Sequence, residues 1–137
     1  MSDQNNPVRA LQVLLVDDDS FMLELVSDML RDLGVERITT ALDGKRGFAA
    51  FESARIPPDL IICDINMPGK DGFQFMELIA DKKYAGGVIL ISGMEGRIIH
   101  SAELMARFHH LNILGSLQKP IAKATLAALV AKVSQPA

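Results

Sequence analysis

One cysteine, Cys63, stands in 137 residues. A single thiol cannot close an internal disulfide, which fits a reducing cytosol and leaves the fold to its core. Basic runs are nearly missing. The longest is the pair Lys82–Lys83, and the formal net charge is −3 with a pI near 5.5. This excludes the electrostatic footprint of a nucleic-acid binder. No apolar run approaches membrane-spanning length. The opening nine residues, MSDQNNPVR, lack the apolar centre of a secretory leader and are expected to form a mobile tail. Internal repeats and low-complexity segments are absent as well. These absences point to a cytoplasmic protein without membrane or nucleic-acid contacts of its own.

What the chain does have is apolar residues, 49 % of the total. At this length that suits one domain with a sizeable core. The domain is expected over residues 10–133, and SQPA at 134–137 as a tail or the start of a linker. The runs ALQVLLVDD, DLIICD, GGVILIS and NILGSLQK are nearly continuous, as in strands covered on both faces. RITTAL is half polar and suits an edge strand.

Helical patterns alternate with these runs. In SFMLELVSDMLRDLG, residues Met22, Leu25, Val26, Met29, Leu30 and Leu33 follow an i, i+3, i+4 rhythm, with Asp19 or Ser20 as the cap and Gly34 at the end. DGKRGFAAFESAR is a second helix capped by Asp43. DGFQFMELIADKK is a third, with Phe75, Met76 and Ile79 on one face. EGRIIHSAELMARFHH is a fourth, and IAKATLAALVAKV a fifth, opened by Pro120 in its first turn. Five strands alternating with five helices predict an α/β domain, a doubly wound five-stranded parallel sheet in the order 2-1-3-4-5. Ligands of such sheets bind beyond the carboxyl ends of the strands, at the switch point between strands 1 and 3.

In that topology the acids after strand 1 (Asp17, Asp18, Asp19) meet Asp64 at the end of strand 3. Strands 4 and 5 deliver Ser92 and Gln118–Lys119 to the same rim. Clustered carboxylates repel, so the group needs a cation or one acid must stay protonated. Oxygen ligands favour Mg²⁺ or Mn²⁺ over zinc. Mg²⁺ keeps positions for phosphate oxygens, and a carboxylate can serve as the nucleophile of phosphoryl transfer. Each residue also has a plainer reading. The acids could be helix caps, Ser92 a strand-end hydroxyl and Lys119 a solvated lysine. Asp19 is read as a cap and left out of the metal site, and Asp71–Gly72 as a turn and helix start. Cys63 is read as a small core residue, the methionines as gap fillers, and His109–His110 as a surface or interface pair.

Taken in order, VDD (16–18), CDINMPGKDG (63–72), ISG (91–93) and QKP (118–120) resemble the response-regulator receiver domain of two-component signalling. The resemblance covers about residues 10–133. It implies Asp64 as the phospho-acceptor. It implies Asp17, Asp18, Asp64 and the backbone carbonyl of Asn66 as the metal site. Ser92 is then the hydroxyl switch residue, and Lys119 the lysine that pairs first with the acceptor and then with the phosphoryl group. Lys119–Pro120 is commonly cis in the family.

Two positions depart from the pattern. Ser116 stands where the family often has an aromatic switch residue, and the segment from Ser92 to Lys119 is longer than in many receivers. That segment is similar to receivers fused to cyclic-di-GMP phosphodiesterase domains. The implied partners are a histidine kinase or phosphotransfer protein, a fused output domain, and a second copy across the face of the fourth helix, fifth strand and fifth helix. On the fourth helix, Ile98, Ala102, Met105 and His109 form a stripe that suits either burial or a partner surface. Two other functions stay open. One is a haloacid-dehalogenase-type phosphatase using Asp17 with Asp19, although the chain has no late acidic pair. The other is a receiver-like binding module that is never phosphorylated.

Overall fold

The computed structural model describes residues 10–65, 71–93 and 110–134. Among these the chain runs β1 (Gln12–Val16), α1 (Ser20–Asp32), β2 (Arg37–Ala41), α2 (Gly44–Ser53), β3 (Leu60–Asp64), α3 (Asp71–Asp81), β4 (Gly87–Ser92), β5 (Asn112–Gln118) and α4 (Lys123–Ser134). The five strands are parallel and ordered β2-β1-β3-β4-β5, as the strand–helix alternation predicts. The expected fourth helical pattern, with Ile98, Ala102, Met105 and His109, lies outside the described residues, as does Asn66. The four helices described are therefore the first three and the last of the five expected.

Side chains alternate across a pleated strand, so a strand buried on both sides feeds two cores. Val13 and Leu15 of β1, Leu60 and Ile62 of β3, and Ile89 and Ile91 of β4 meet α1 and α4 through Val26, Leu30, Leu126 and Val130. Their neighbours Leu14, Val16, Ile61, Cys63, Val88 and Leu90 meet α3 on the opposite face, through Phe75, Met76 and Ile79. Each such side chain contributes about 1.5–3 kcal/mol by leaving water. This double burial is why the three central strands are apolar without alternation. Cys63 is buried, as expected of a small core residue.

Local signals set the helix boundaries. Asp19 caps α1 by accepting from the Phe21 N–H at 3.0 Å. Asp43 caps α2, accepting from the Arg46 N–H at 2.7 Å. α3 starts at Asp71, as the Asp71–Gly72 pair suggests.

Two expectations need correction. Pro120 is not in the first turn of the last helix. Its bond to Lys119 is cis, buried Ile121 follows, and the first helical hydrogen bond runs from Leu126 N–H to the Ala122 carbonyl. NILGSLQK has the composition of a strand covered on both faces, but β5, at the edge that the order 2-1-3-4-5 gives it, is mostly part-exposed, with only Leu117 buried. β2 is the opposite edge, as its half-polar sequence predicts.

Candidate functional site

The strand register builds the site. Val16 of β1 is aligned with Cys63 of β3, so the next residues, Asp17 and Asp64, meet at the end of adjacent strands. Asp64 is in turn aligned with Ile91, one residue before Ser92, and Ser92 with Gln118, one residue before Lys119. The Lys119 N–H donates to the Ser92 carbonyl at 3.0 Å and ties the two strand ends together.

Asp17 is fully buried and Asp64 nearly so, at 0 % and 1 % exposure, while Asp18 is exposed. One oxygen from each of the three carboxylates lies within 4.8 Å of the other two. The Lys119 ammonium reaches into this cluster. Its Nζ donates to Asp64 Oδ2 at 3.2 Å and lies 3.9 Å from Asp17 Oδ2.

Asp17 is the anomaly of the site. Its Oδ1 accepts from the Asp19 N–H at 2.9 Å, but its buried Oδ2 has no hydrogen-bond donor among the described residues. A buried carboxylate oxygen without a donor is costly. Burial pushes the Asp17 carboxyl up to about 7, with the Asp64 charge adding to the rise and the Asp19 N–H and Lys119 opposing it. Burial pulls the Lys119 ammonium down, but Asp64 and Asp17 outweigh it and raise it above its ordinary value. Among the described residues one lysine, Lys119, faces the two buried acids, and the exposed Asp18 stands beside them. The orphaned oxygen, the trio of hard oxygen ligands and the excess negative charge together fit a small divalent cation.

The cluster gathers the expected residues of the described chain: Asp17, Asp18, Asp64 and Lys119, with Ser92 at the neighbouring strand end. Ser116 is exposed on β5 and aligned with Leu90. Asp19 is spent on the Phe21 N–H, so the paired acid that a haloacid-dehalogenase-type site would need is already a helix cap. Gly72 matters more than a turn residue would. A Cβ there would stand 2.6 Å from the Asp64 carbonyl oxygen and 2.9 Å from Ile65 Cα, so α3 begins directly against the end of β3. The sequence signal was the glycine in DG, but nothing local marks what it packs against.

The family model of the response regulator receiver domain matches residues 13–131. The chain belongs to this family. Related proteins include a protein-glutamate methylesterase/protein-glutamine glutaminase of Archaeoglobus fulgidus, 37 % identical over 60 % of this chain and 23 % of that protein. Another is the cyclic di-GMP phosphodiesterase RocR of Pseudomonas aeruginosa, 30 % identical over 89 % of this chain and 31 % of that protein. The receiver thus spans about a quarter to a third of these curated relatives. Among solved structures, the chemotaxis response regulator CheY4 of Vibrio cholerae is 30 % identical, with a TM-score of 0.70 over 90 % of this chain and 98 % of that one. The receiver is a two-component signalling domain, and no helix among its described residues is long and apolar enough to cross a membrane.

Proposed function

We propose that this receiver is a phosphorylation-controlled switch with Asp64 as the phospho-acceptor. The observation that carries the reading is the Lys119 ammonium, 3.2 Å from Asp64 Oδ2 inside a trio of carboxylates. An oxygen of Asp64 attacks the phosphorus of a phosphohistidine on a histidine kinase or phosphotransfer protein. A P–O bond to Asp64 forms and the P–N bond breaks. Its electron pair stays on the imidazole nitrogen, and the imidazole leaves neutral or takes a proton from water. Asp17, Asp18, Asp64 and the main-chain carbonyl of Asn66 would hold Mg²⁺ or Mn²⁺, which supplies positive charge beside the transferring oxygens.

Lys119 exchanges its bond to the free carboxylate for one to the phosphoryl oxygens, and the Ser92 hydroxyl donates to the same group. These contacts exist only in the phosphorylated state, so they shift an existing equilibrium of the surface around β5 and the helices beside it. Similarity to RocR over most of the chain supports a fused cyclic-di-GMP phosphodiesterase as the output, in a cytoplasmic protein. A second copy docked on that surface is the other route for the signal.

The test is incubation with acetyl phosphate and Mg²⁺, followed by intact mass measurement. One phosphoryl adduct is expected on the wild type and none on Asp64→Asn, a loss of at least ~100-fold. An adduct that persists in Asp64→Asn, or its absence from the wild type, would overturn the reading.

A further inference from the structure

The amino-end rim of the sheet, opposite the carboxylate trio, carries a cleft of about 770 Å³. That lies within the roughly 300–1,000 Å³ of small-molecule sites. Its walls are the α2–β3 connection, the α3–β4 connection from Lys82 to Gly86, and the end of α4 beside the start of β5. The first two are tied together, because the Tyr84 hydroxyl donates to the Pro58 carbonyl at 2.7 Å. Leu11, Phe51, Leu114 and Val133 make part of the lining apolar. Leu114 owes its place to a bulge in β5. Val88 of β4 pairs with Ile113 but Ile89 with Gly115, which leaves Leu114 as an extra residue between them. A bulge re-aims the side chain it frees from the ladder.

Lysines supply the polar part of the lining. Lys82, Lys83 and Lys132 stand there with one acid, Asp59. Lys82 already pairs with Glu52 at 3.4 Å, and Asp59 Oδ2 accepts from the Gln12 N–H at 2.8 Å. Lys132 Nζ has a neutral partner, the Leu114 carbonyl at 3.2 Å. Lys83 is exposed and makes no ion pair among the described residues. With the paired Lys82 set aside, two lysines are balanced by one acid, so the cleft attracts anions.

Lys83 also has the one positive φ, 58°, among the described residues other than glycine. Its N–H donates to the Ala80 carbonyl at 2.9 Å, and the Tyr84 N–H to the Ile79 carbonyl at 3.1 Å. This pair of bonds closes α3 in a Schellman motif, whose left-handed position usually belongs to glycine. A lysine there strains the backbone, and strain of this kind gathers at functional positions.

We propose that this cleft binds a small organic anion, its acidic head at Lys83 and Lys132 and its apolar body against Phe51, Leu11 and Leu114. The site is separate from the carboxylate rim, and binding there does not depend on Asp64 being phosphorylated.

The test is an amide NMR titration of the full chain in EDTA with phenylphosphonate, which has no phosphoryl group to transfer. Saturable shifts are expected at Lys83, Gly86, Asn112 and Leu114, while Ile65 and Ser92 report separately on the carboxylate rim. Inorganic phosphate carries the head alone and benzyl alcohol the body alone, and each should bind at least about ten-fold more weakly. Lys83→Gly relieves the positive φ and so keeps the fold, yet it should weaken phenylphosphonate about three- to five-fold. Lys83→Arg should bind like wild type, and Lys83→Gly with Lys132→Met should lose at least about ten-fold. The site is overturned by shifts confined to Ile65 and Ser92, or by no saturable shift at all. Equal binding of inorganic phosphate or benzyl alcohol, or undiminished affinity in the double variant, overturns it as well. None of these outcomes bears on phosphorylation of Asp64, which the acetyl phosphate experiment decides.

Discussion

The two ends of the sheet are built on opposite terms. At the amino-end rim polar groups are matched. The Tyr84 hydroxyl donates to the Pro58 carbonyl at 2.7 Å, and Asp59 accepts from the Gln12 N–H at 2.8 Å. The Asp59 N–H donates to the Gln12 carbonyl, and the Asp59 carbonyl accepts from Gly87. Burial and the nearby Asp59 push the Tyr84 phenol up, so it keeps its proton. At the carboxyl-end rim two carboxylates are buried side by side, and among the described residues one oxygen lacks a donor and a single lysine answers them. The first rim contributes stability. The second gives stability away by keeping charge buried, which under the proposed function is where a cation and a phosphoryl group would use it.

Removing the lysine breaks this contrast most severely. Lys119→Ala leaves two buried acids without their counter-charge and is expected to cost about 2–4 kcal/mol at pH 8. The loss should shrink at pH 5, where Asp17 is protonated. Urea titrations in EDTA at the two pH values measure both.

Next in size, Asp17→Asn should stabilise the metal-free protein by about 1–2 kcal/mol at pH 8, because it removes a buried charge. It should also weaken Mg²⁺ binding at least ~10-fold in calorimetry. Tyr84→Phe at the opposite rim should do the reverse of Asp17→Asn and lose about 1–2 kcal/mol, since the Pro58 carbonyl is left without its donor. If the Asn and Phe variants changed stability in the same direction, the two rims would not differ as described.

The pH profile tests the same contrast in the unsubstituted chain. The Asp17 carboxyl is raised to about 7 from 3.8, so the folded state binds its proton more tightly than the unfolded chain. Metal-free stability from this group is full below pH 4 and falls as pH rises toward 7. Saturating Mg²⁺ should flatten that decline, and its affinity should rise with pH and level off above 7. Thermal melts across pH 4–8, with EDTA or with Mg²⁺, test the sign.

Much of this was legible in the residues. The strand order, the convergence of Asp17, Asp18, Asp64 and Lys119, and the caps at Asp19 and Asp43 all follow from local pattern and a right-handed crossover rule. The beginning of the last helix is not legible in the residues, because a proline followed by alternating small and apolar residues suits a first turn, and only packing shows that Ile121 is drawn into the core first. The exposure of β5 is not legible either, because an edge strand resting on a helix can be as apolar as a central one.

The sequence by itself determined which elements form and which chemical groups stand at their ends, since side-chain periodicity and turn residues act over a few neighbours. Only the tertiary structure decided that Asp17 Oδ2 goes without a donor among the described residues, that Gly72 must be bare against β3, and that β5 carries a bulge at Leu114. Each of these depends on how closely two segments distant in the chain approach, and no local pattern encodes a distance.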